Sequence, residues 1–177
     1  MRKMTFLFTM LVVVQATTPD YSGLNAQADV NRDTIMLAAR EIIGETTYCA
    51  LITVDPSGQP QARTMNPFPV KDDLIIWFAT SRTSRKTMEI KNNPGVSVYF
   101  ANHMAAKGYV NITGLATVID DKDLLVKMKR DYWNGIKDWQ EKFVLIKIIP
   151  LTVEVINYKH KLTNDPETFK APSITLR

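Results

Sequence analysis

The chain has 177 residues, 45% of them hydrophobic and 23% charged, with a formal net charge of +4. That length suits one domain with its own core, and the composition is ordinary for a globular protein. The basic residues are spread along the chain with Asp and Glu between them, so there is no basic stripe of the kind that nucleic-acid binding requires.

The first 28 residues read as a secretory signal peptide. Arg2 and Lys3 precede the apolar run Met4–Val14, and small residues follow in Asn25-Ala26-Gln27-Ala28. Cleavage is expected after Ala28, with Val14-Gln15-Ala16 as a second site, and the product would be exported to the periplasm or secreted. The apolar run is too short for a comfortable membrane span, so no stable membrane insertion is expected after cleavage. A domain over residues 29–160 and a weakly ordered tail over 161–177 complete the expected organisation. The single cysteine, Cys49, excludes an intrachain disulfide and reads as a buried, inert thiol in an apolar strand.

Residues 29–47 carry Ile35, Ala39, Ile42 and Ile43 at helical spacing, and Gly44 ends the pattern. Tyr48–Val54 reads as a strand. Asp55-Pro56-Ser57-Gly58 is a type I turn signal, and Gln59–Met65 is the return strand. Asn66-Pro67-Phe68-Pro69 breaks it. Leu74–Thr80 is an almost wholly apolar third strand, expected to be buried on both faces. Val96–Phe100 is a fourth, and Tyr109–Ile119 a fifth with Gly114 marking a bulge or a close approach. Asp121–Trp139 has helical spacing at Leu125, Met128 and Tyr132, with Asp120 or Asp121 as cap and Gly135 as a break. Phe143–Ile149 and Leu151–Asn157 read as two last strands meeting at Pro150. Short strands and hairpin turns point to an antiparallel closed or partly closed sheet. The links between the first three strands are too short for parallel crossovers.

The corner after the third strand carries the chemistry. Thr80-Ser81 ends an apolar run, Ser84-Arg85-Lys86 opens a short helix, and Asn93-Pro94-Gly95 stops it. Two cations in a first helical turn oppose the helix dipole, at a cost of a few tenths to about 1 kcal/mol each unless an anion offsets them. A phosphate would do so, using the helix amide groups and the hydroxyls of Thr80, Ser81 and Ser84. The plain alternative is a solvated basic turn.

These residues, with Arg63-Thr64-Met65 on the second strand, Ala79-Thr80 on the third, Asn92-Asn93-Pro94 at the helix end and Tyr109 five residues before Gly114, give a pattern over residues 32–157. It resembles the pyridoxamine 5'-phosphate oxidase-like family, and within it the general-stress-protein branch. The resemblance implies a mainly β fold, an antiparallel split β-barrel of Greek-key type with flanking α-helices. It also implies FMN held where two protomers of a homodimer meet. Arg85 and Lys86 would hold the phosphate with Thr80 and Ser84, and Arg63 would reach the phosphate or ribityl chain. The backbone at Thr64 and Met65 would line the isoalloxazine ring, with Ala79 beside it. Tyr109 stands where oxidase members have a glutamine on the flavin.

For Arg63 the plain alternative is a strand arginine paired with a carboxylate. For Tyr109, Trp133 and Trp139 it is packing. The C-terminal Tyr158-Lys159-His160-Lys161 does not match the Arg-x-His substrate motif of true oxidases, so oxidation of pyridoxamine phosphate is not expected. The resemblance implies a flavin-dependent oxidoreductase of a small-molecule substrate with no assigned catalytic side chain. The alternative is a non-catalytic binder of flavin, haem or deazaflavin. His103 and His160 lack metal-ligand spacing, so no metal is expected.

Overall fold

A computed structural model describes residues 31–176. The leader-like segment and its cleavage after Ala28 lie outside them.

The first helix, α1, runs Arg32–Gly44, and the Asn31 side chain caps it by accepting from the Asp33 backbone N–H at 2.9 Å. Its apolar residues fall on one face, so Ile35, Ala38, Ala39, Ile42 and Ile43 are buried against the sheet. The strands are β1 Cys49–Val54, β2 Pro60–Met65, β3 Ile76–Ser81, β4 Gly95–Phe100, β5 Gly108–Ile119, β6 Phe143–Asn157 and β7 Ser173–Thr175. All pair antiparallel in the order β2-β1-β4-β5-β6-β3, with β7 also on β6. The sheet curls into an open half-barrel, the split-barrel fold expected from the sequence. Its edges are β2 and β3. The helix α2, Arg85–Asn92, follows β3 and makes side-chain bonds to both edges.

The main core fills the concave side with Leu51, Ile76, Phe78, Val98, Phe100, Ile112 and their neighbours. A second cluster of Leu125, Trp133 and Leu145 packs with Trp77, Ala79 and Phe143. The third strand was expected to be buried on both faces. Instead it alternates, with Ile76, Phe78 and Thr80 buried and Trp77 and Ala79 half-buried against this second cluster.

Two boundaries differ from the expectation for physical reasons. Residues 121–139 do not form one helix. Asp121 caps α3, Lys122–Lys127, through the Leu124 N–H at 2.9 Å, and a 3-10 turn Asp131–Gly135 follows. A last short helix, α4, spans Trp139–Lys142. Trp133 is 1% exposed and packs on Phe143 and Trp139 at centroid distances of 5.1 and 5.4 Å. Seating that ring bends the chain, so tertiary packing overrides the helical spacing. The two expected last strands are a single strand, β6, which passes through Pro150. The register of β5 on β6 shifts between Thr113 and Gly114, opposite Pro150, and this irregularity accommodates a residue with no N–H to donate. Gly114 is required there, because a Cβ would lie 2.4 Å from the Ile149 carbonyl oxygen.

What reads in sequence as a weakly ordered tail carries structure. Leu162 and Ala171 are buried, β7 pairs with β6, and the Leu176 N–H reaches the Leu151 carbonyl at 2.8 Å. Among the described residues no helix is long and apolar enough to cross a membrane.

Candidate functional site

The gap between the two sheet edges is where the chemistry gathers. β3 ends in Thr80, which is buried, and the chain turns through Ser81–Ser84 into α2. Arg82 anchors this turn: its Nε donates to the Glu141 carbonyl at 2.9 Å, and its guanidinium pairs with Asp120. That cation is therefore committed to the fold. The Ser84 side chain makes no capping bond to the helix, and its hydroxyl lies 3.3 Å from that of Thr80. Lys86 Nζ donates to Thr80 Oγ1 at 2.9 Å. Thr80, Ser84 and Lys86 thus form one connected polar corner, as the local sequence suggested.

Arg63 reaches the same region from the other edge. On β2 it lies opposite Leu51, whose side chain is in the core, so Arg63 points to the concave side. Its Nη2 donates to Glu89 Oε2 at 2.8 Å, and its Nη1 donates to the Thr53 hydroxyl. The Thr53 hydroxyl in turn donates to Glu89 Oε2 at 2.5 Å. Arg85 Nε lies 2.8 Å from Glu89 Oε1, and its Nη2 donates to Gln61 Oε1 at 2.9 Å. The plain alternative for Arg63, pairing with a carboxylate, describes its protein partner. The carboxylate is the buried Glu89, and it sits beside the polar corner.

The electrostatics leave an excess of positive charge. Arg63, Arg85 and Lys86 gather around a single carboxylate, Glu89, so three positive charges less one negative leave a surplus of two. Burial pushes the Lys86 ammonium below its ordinary value, and the neighbouring charges of Arg63 and Arg85 push it further, with Glu89 opposing. A lysine held down in this way gains from a bound anion. Burial pushes the Glu89 carboxyl up, but the Thr53 hydroxyl and the Arg63 and Arg85 guanidiniums outweigh it and hold the group below its usual range.

The Glu89 shift gives a testable acid dependence. The folded value lies below the unfolded one, so the stability contributed by Glu89 is fully present above about pH 4.3, the ordinary glutamate value. It is lost as pH falls through the lower folded value. Denaturant midpoints taken across this acid window should drop more for the wild type than for Glu89→Gln, which has no carboxyl to protonate there.

The other expected site residues are placed differently. Thr64 is exposed on the opposite face of β2 from Arg63. Met65 is half-buried against the main core, and Ala79 is half-buried against the aromatic cluster. Tyr109 stands apart. By strand alternation it lies on the convex face, where its ring stacks on Tyr99 at 5.3 Å and its hydroxyl donates to Glu154 Oε1 at 3.0 Å. Burial, with Glu154 beside it, pushes its phenol up to about 12. Burial likewise pushes the Cys49 thiol up to about 12, which suits an inert core residue.

Sequence reasoning missed Glu89, Thr53 and Gln61. Arg85 and Glu89 are four apart on a helix, a spacing that marks a candidate pair. Nothing in the sequence signals that Thr53 and Arg63 would join them. Just beyond Met65, a cavity of about 460 Å3 opens between the end of α1 and the loop after β2, with Phe68, Val70, Arg40 and Arg130 among its walls. Arg130 lies over the Phe68 ring at 4.3 Å and donates to the Pro67 carbonyl at 2.6 Å.

Residues 35–159 match the family described as pyridoxamine 5'-phosphate oxidase. The chain belongs to the pyridoxamine 5'-phosphate oxidase-like family. General stress protein 26 of Bacillus subtilis (strain 168) is 28% identical over 137 residues, covering 75% of this chain and 95% of that protein. The crystal structure of General Stress Protein 26 from Bacillus anthracis str. Sterne aligns with a TM-score of 0.59 at 28% identity, covering 69% of this chain and 93% of that one. A pyridoxine/pyridoxamine 5'-phosphate oxidase of Shewanella woodyi is 32% identical over 85 residues, 48% of this chain and only 39% of that enzyme. The similarity to the general stress proteins thus runs nearly the length of those proteins, whereas the oxidase is matched over less than half of its length. This family member carries the polar corner of Thr80, Ser84 and Lys86 between its sheet edges.

Proposed function

We propose that this protein binds FMN through the corner between β2, β3 and α2, as a flavin-binding member of the general-stress type. The observation that carries the reading is the charge of that corner: two guanidiniums, Arg63 and Arg85, pair with one buried carboxylate, and a third cation, Lys86, lies beside them on Thr80 and is held below its ordinary value by burial and by their charges. Arg85 and Lys86 would bind the phosphate with the Thr80 and Ser84 hydroxyls, and Arg63 would stand behind them. The backbone at Thr64 and Met65 would lie along the ring, with Ala79 nearby. Bound FMN supplies hydride and single-electron chemistry.

Turnover as an oxidoreductase of a small molecule is the second reading. The cavity beyond Met65 favours it, because it would set a small substrate beside the ring. No catalytic side chain is assigned. A homodimer belongs to the same proposal. The convex face of the sheet bears an apolar depression with Ile52, Val54, Leu115 and Leu151, which suits a second copy, and Tyr109 lies on that face.

The experiment is purification of the full chain, followed by absorption spectroscopy, mass identification of the released ligand and light scattering of the same sample. A flavin spectrum, FMN by mass and a dimer are expected. Haem or a deazaflavin in its place would overturn the choice of FMN. A clean monomer that retains FMN would overturn the shared interface. Bleaching by a nicotinamide cofactor followed by substrate-dependent reoxidation separates turnover from binding alone.

A further inference from the structure

Glu89 has no role in holding a ligand, yet its position is unusual. It lies in the second turn of α2, and its side chain is 1% exposed. Oε2 is satisfied by Thr53 and Arg63. Oε1 lies 2.8 Å from Arg85 Nε, close enough for an ion pair, but it is buried without an aligned hydrogen bond. A buried ion pair is weak evidence for stability, since an apolar side chain of similar size often serves as well or better. The arrangement is better explained by what the carboxylate does to its partners. One guanidinium comes from a sheet edge and the other from the start of the helix, and among the described residues Glu89 pairs with both.

We propose that Glu89 is a positioning residue of the anion site: from behind, it holds the Arg63 and Arg85 guanidiniums beside Lys86 and so orders the site before a phosphate arrives. This inference rests on the reading of the corner as a phosphate site. Thr53 shares the work, because its hydroxyl accepts from Arg63 and donates to Glu89. Preorganising two long cationic side chains lowers the ordering cost of binding, and the gain appears as affinity.

The sign of the charge makes the proposal testable. Glu89→Gln keeps the shape but removes a negative charge, so Coulomb attraction alone would tighten anion binding. Positioning demands the opposite. The full chain and the variant are titrated with FMN and, in parallel, with riboflavin, which has the ring but no phosphate. Glu89→Gln is expected to weaken FMN binding by roughly tenfold or more, the scale seen when a partner behind an ion-binding group is removed, and to leave riboflavin binding unchanged. FMN binding that is equal or tighter overturns the proposal. So does an equal loss for both ligands, which would mark a general structural effect.

If circular dichroism shows that Glu89→Gln does not fold, Thr53→Val takes its place. It changes no charge and removes the shared hydroxyl. A several-fold loss for FMN alone is expected, and an unchanged FMN affinity overturns the proposal. Failure of the underlying reading is separate and shows in the wild type first: a full chain that binds neither FMN nor inorganic phosphate overturns the phosphate site, and this inference with it.

Discussion

Arg85→Ala combined with Lys86→Ala is expected to remove stable FMN retention while leaving the fold intact. A charge-assisted hydrogen bond contributes about 1.5–3 kcal/mol. Two such contacts to one phosphate place the loss at roughly 3–6 kcal/mol, or two to four decades in Kd. The fold should tolerate the change. The Arg85 side chain is 69% exposed, and its pair with Glu89 is backed by the second pair from Arg63. Lys86 is a cation already disfavoured by burial, so its removal relieves a cost. The measurement is flavin absorbance retained after exhaustive desalting, followed by titration with FMN and with riboflavin. Riboflavin binding should hardly move, since riboflavin lacks the phosphate that these two cations are proposed to hold. If FMN occupancy matches the wild type, the phosphate assignment fails.

Trp133→Ala should give the largest loss of stability. Trp133 is 1% exposed and lies at the centre of an aromatic group that includes Phe68, Phe143 and Trp139. Truncating a buried Trp typically costs about 3–5 kcal/mol, part of it from the cavity left behind. Here the cost should also reach the site. Phe68 edges onto Trp133, Arg130 stacks on Phe68, and the Phe68 N–H bonds to the Trp77 carbonyl at 2.8 Å, which ties the loop after Met65 to β3. Urea unfolding without ligand should show a large drop in midpoint. The neighbouring Tyr132 is 62% exposed, so Tyr132→Ala should stay within about 0.5 kcal/mol. Equal effects from the two variants would mean that the cluster does not hold this side of the barrel.

The residues of the site divide by how local their signals are. Thr80, Ser84, Arg85 and Lys86 lie within seven positions, and a strand end, a turn and a helix start were enough to bring them together. Arg63 was legible as a candidate, but its partners were not, because Thr53, Arg63 and Glu89 come from β1, β2 and α2. Tyr109 entered through family resemblance and turned out to face away from the corner. The stretch 121–139 was misread because helical spacing of Leu125, Met128 and Tyr132 does not register the volume of Trp133. The sequence divides the last strand at Pro150, because only the register shift between β5 and β6, which leaves Leu151 of β6 as the extra residue beside Pro150, shows how a proline fits there.

The sequence by itself determined the antiparallel character of the sheet, through short alternating strands joined by turns too brief for crossovers. It also determined the cationic corner, because dipole, turn and breaker signals act over a few residues. Only the tertiary structure decided that the two sheet edges come close enough for α2 to bond both, and that a buried glutamate stands behind the arginines. Those contacts depend on the accumulated curl of six strands and on side chains distant in sequence. Twist and packing are sums over the whole molecule, so no local window of residues contains them.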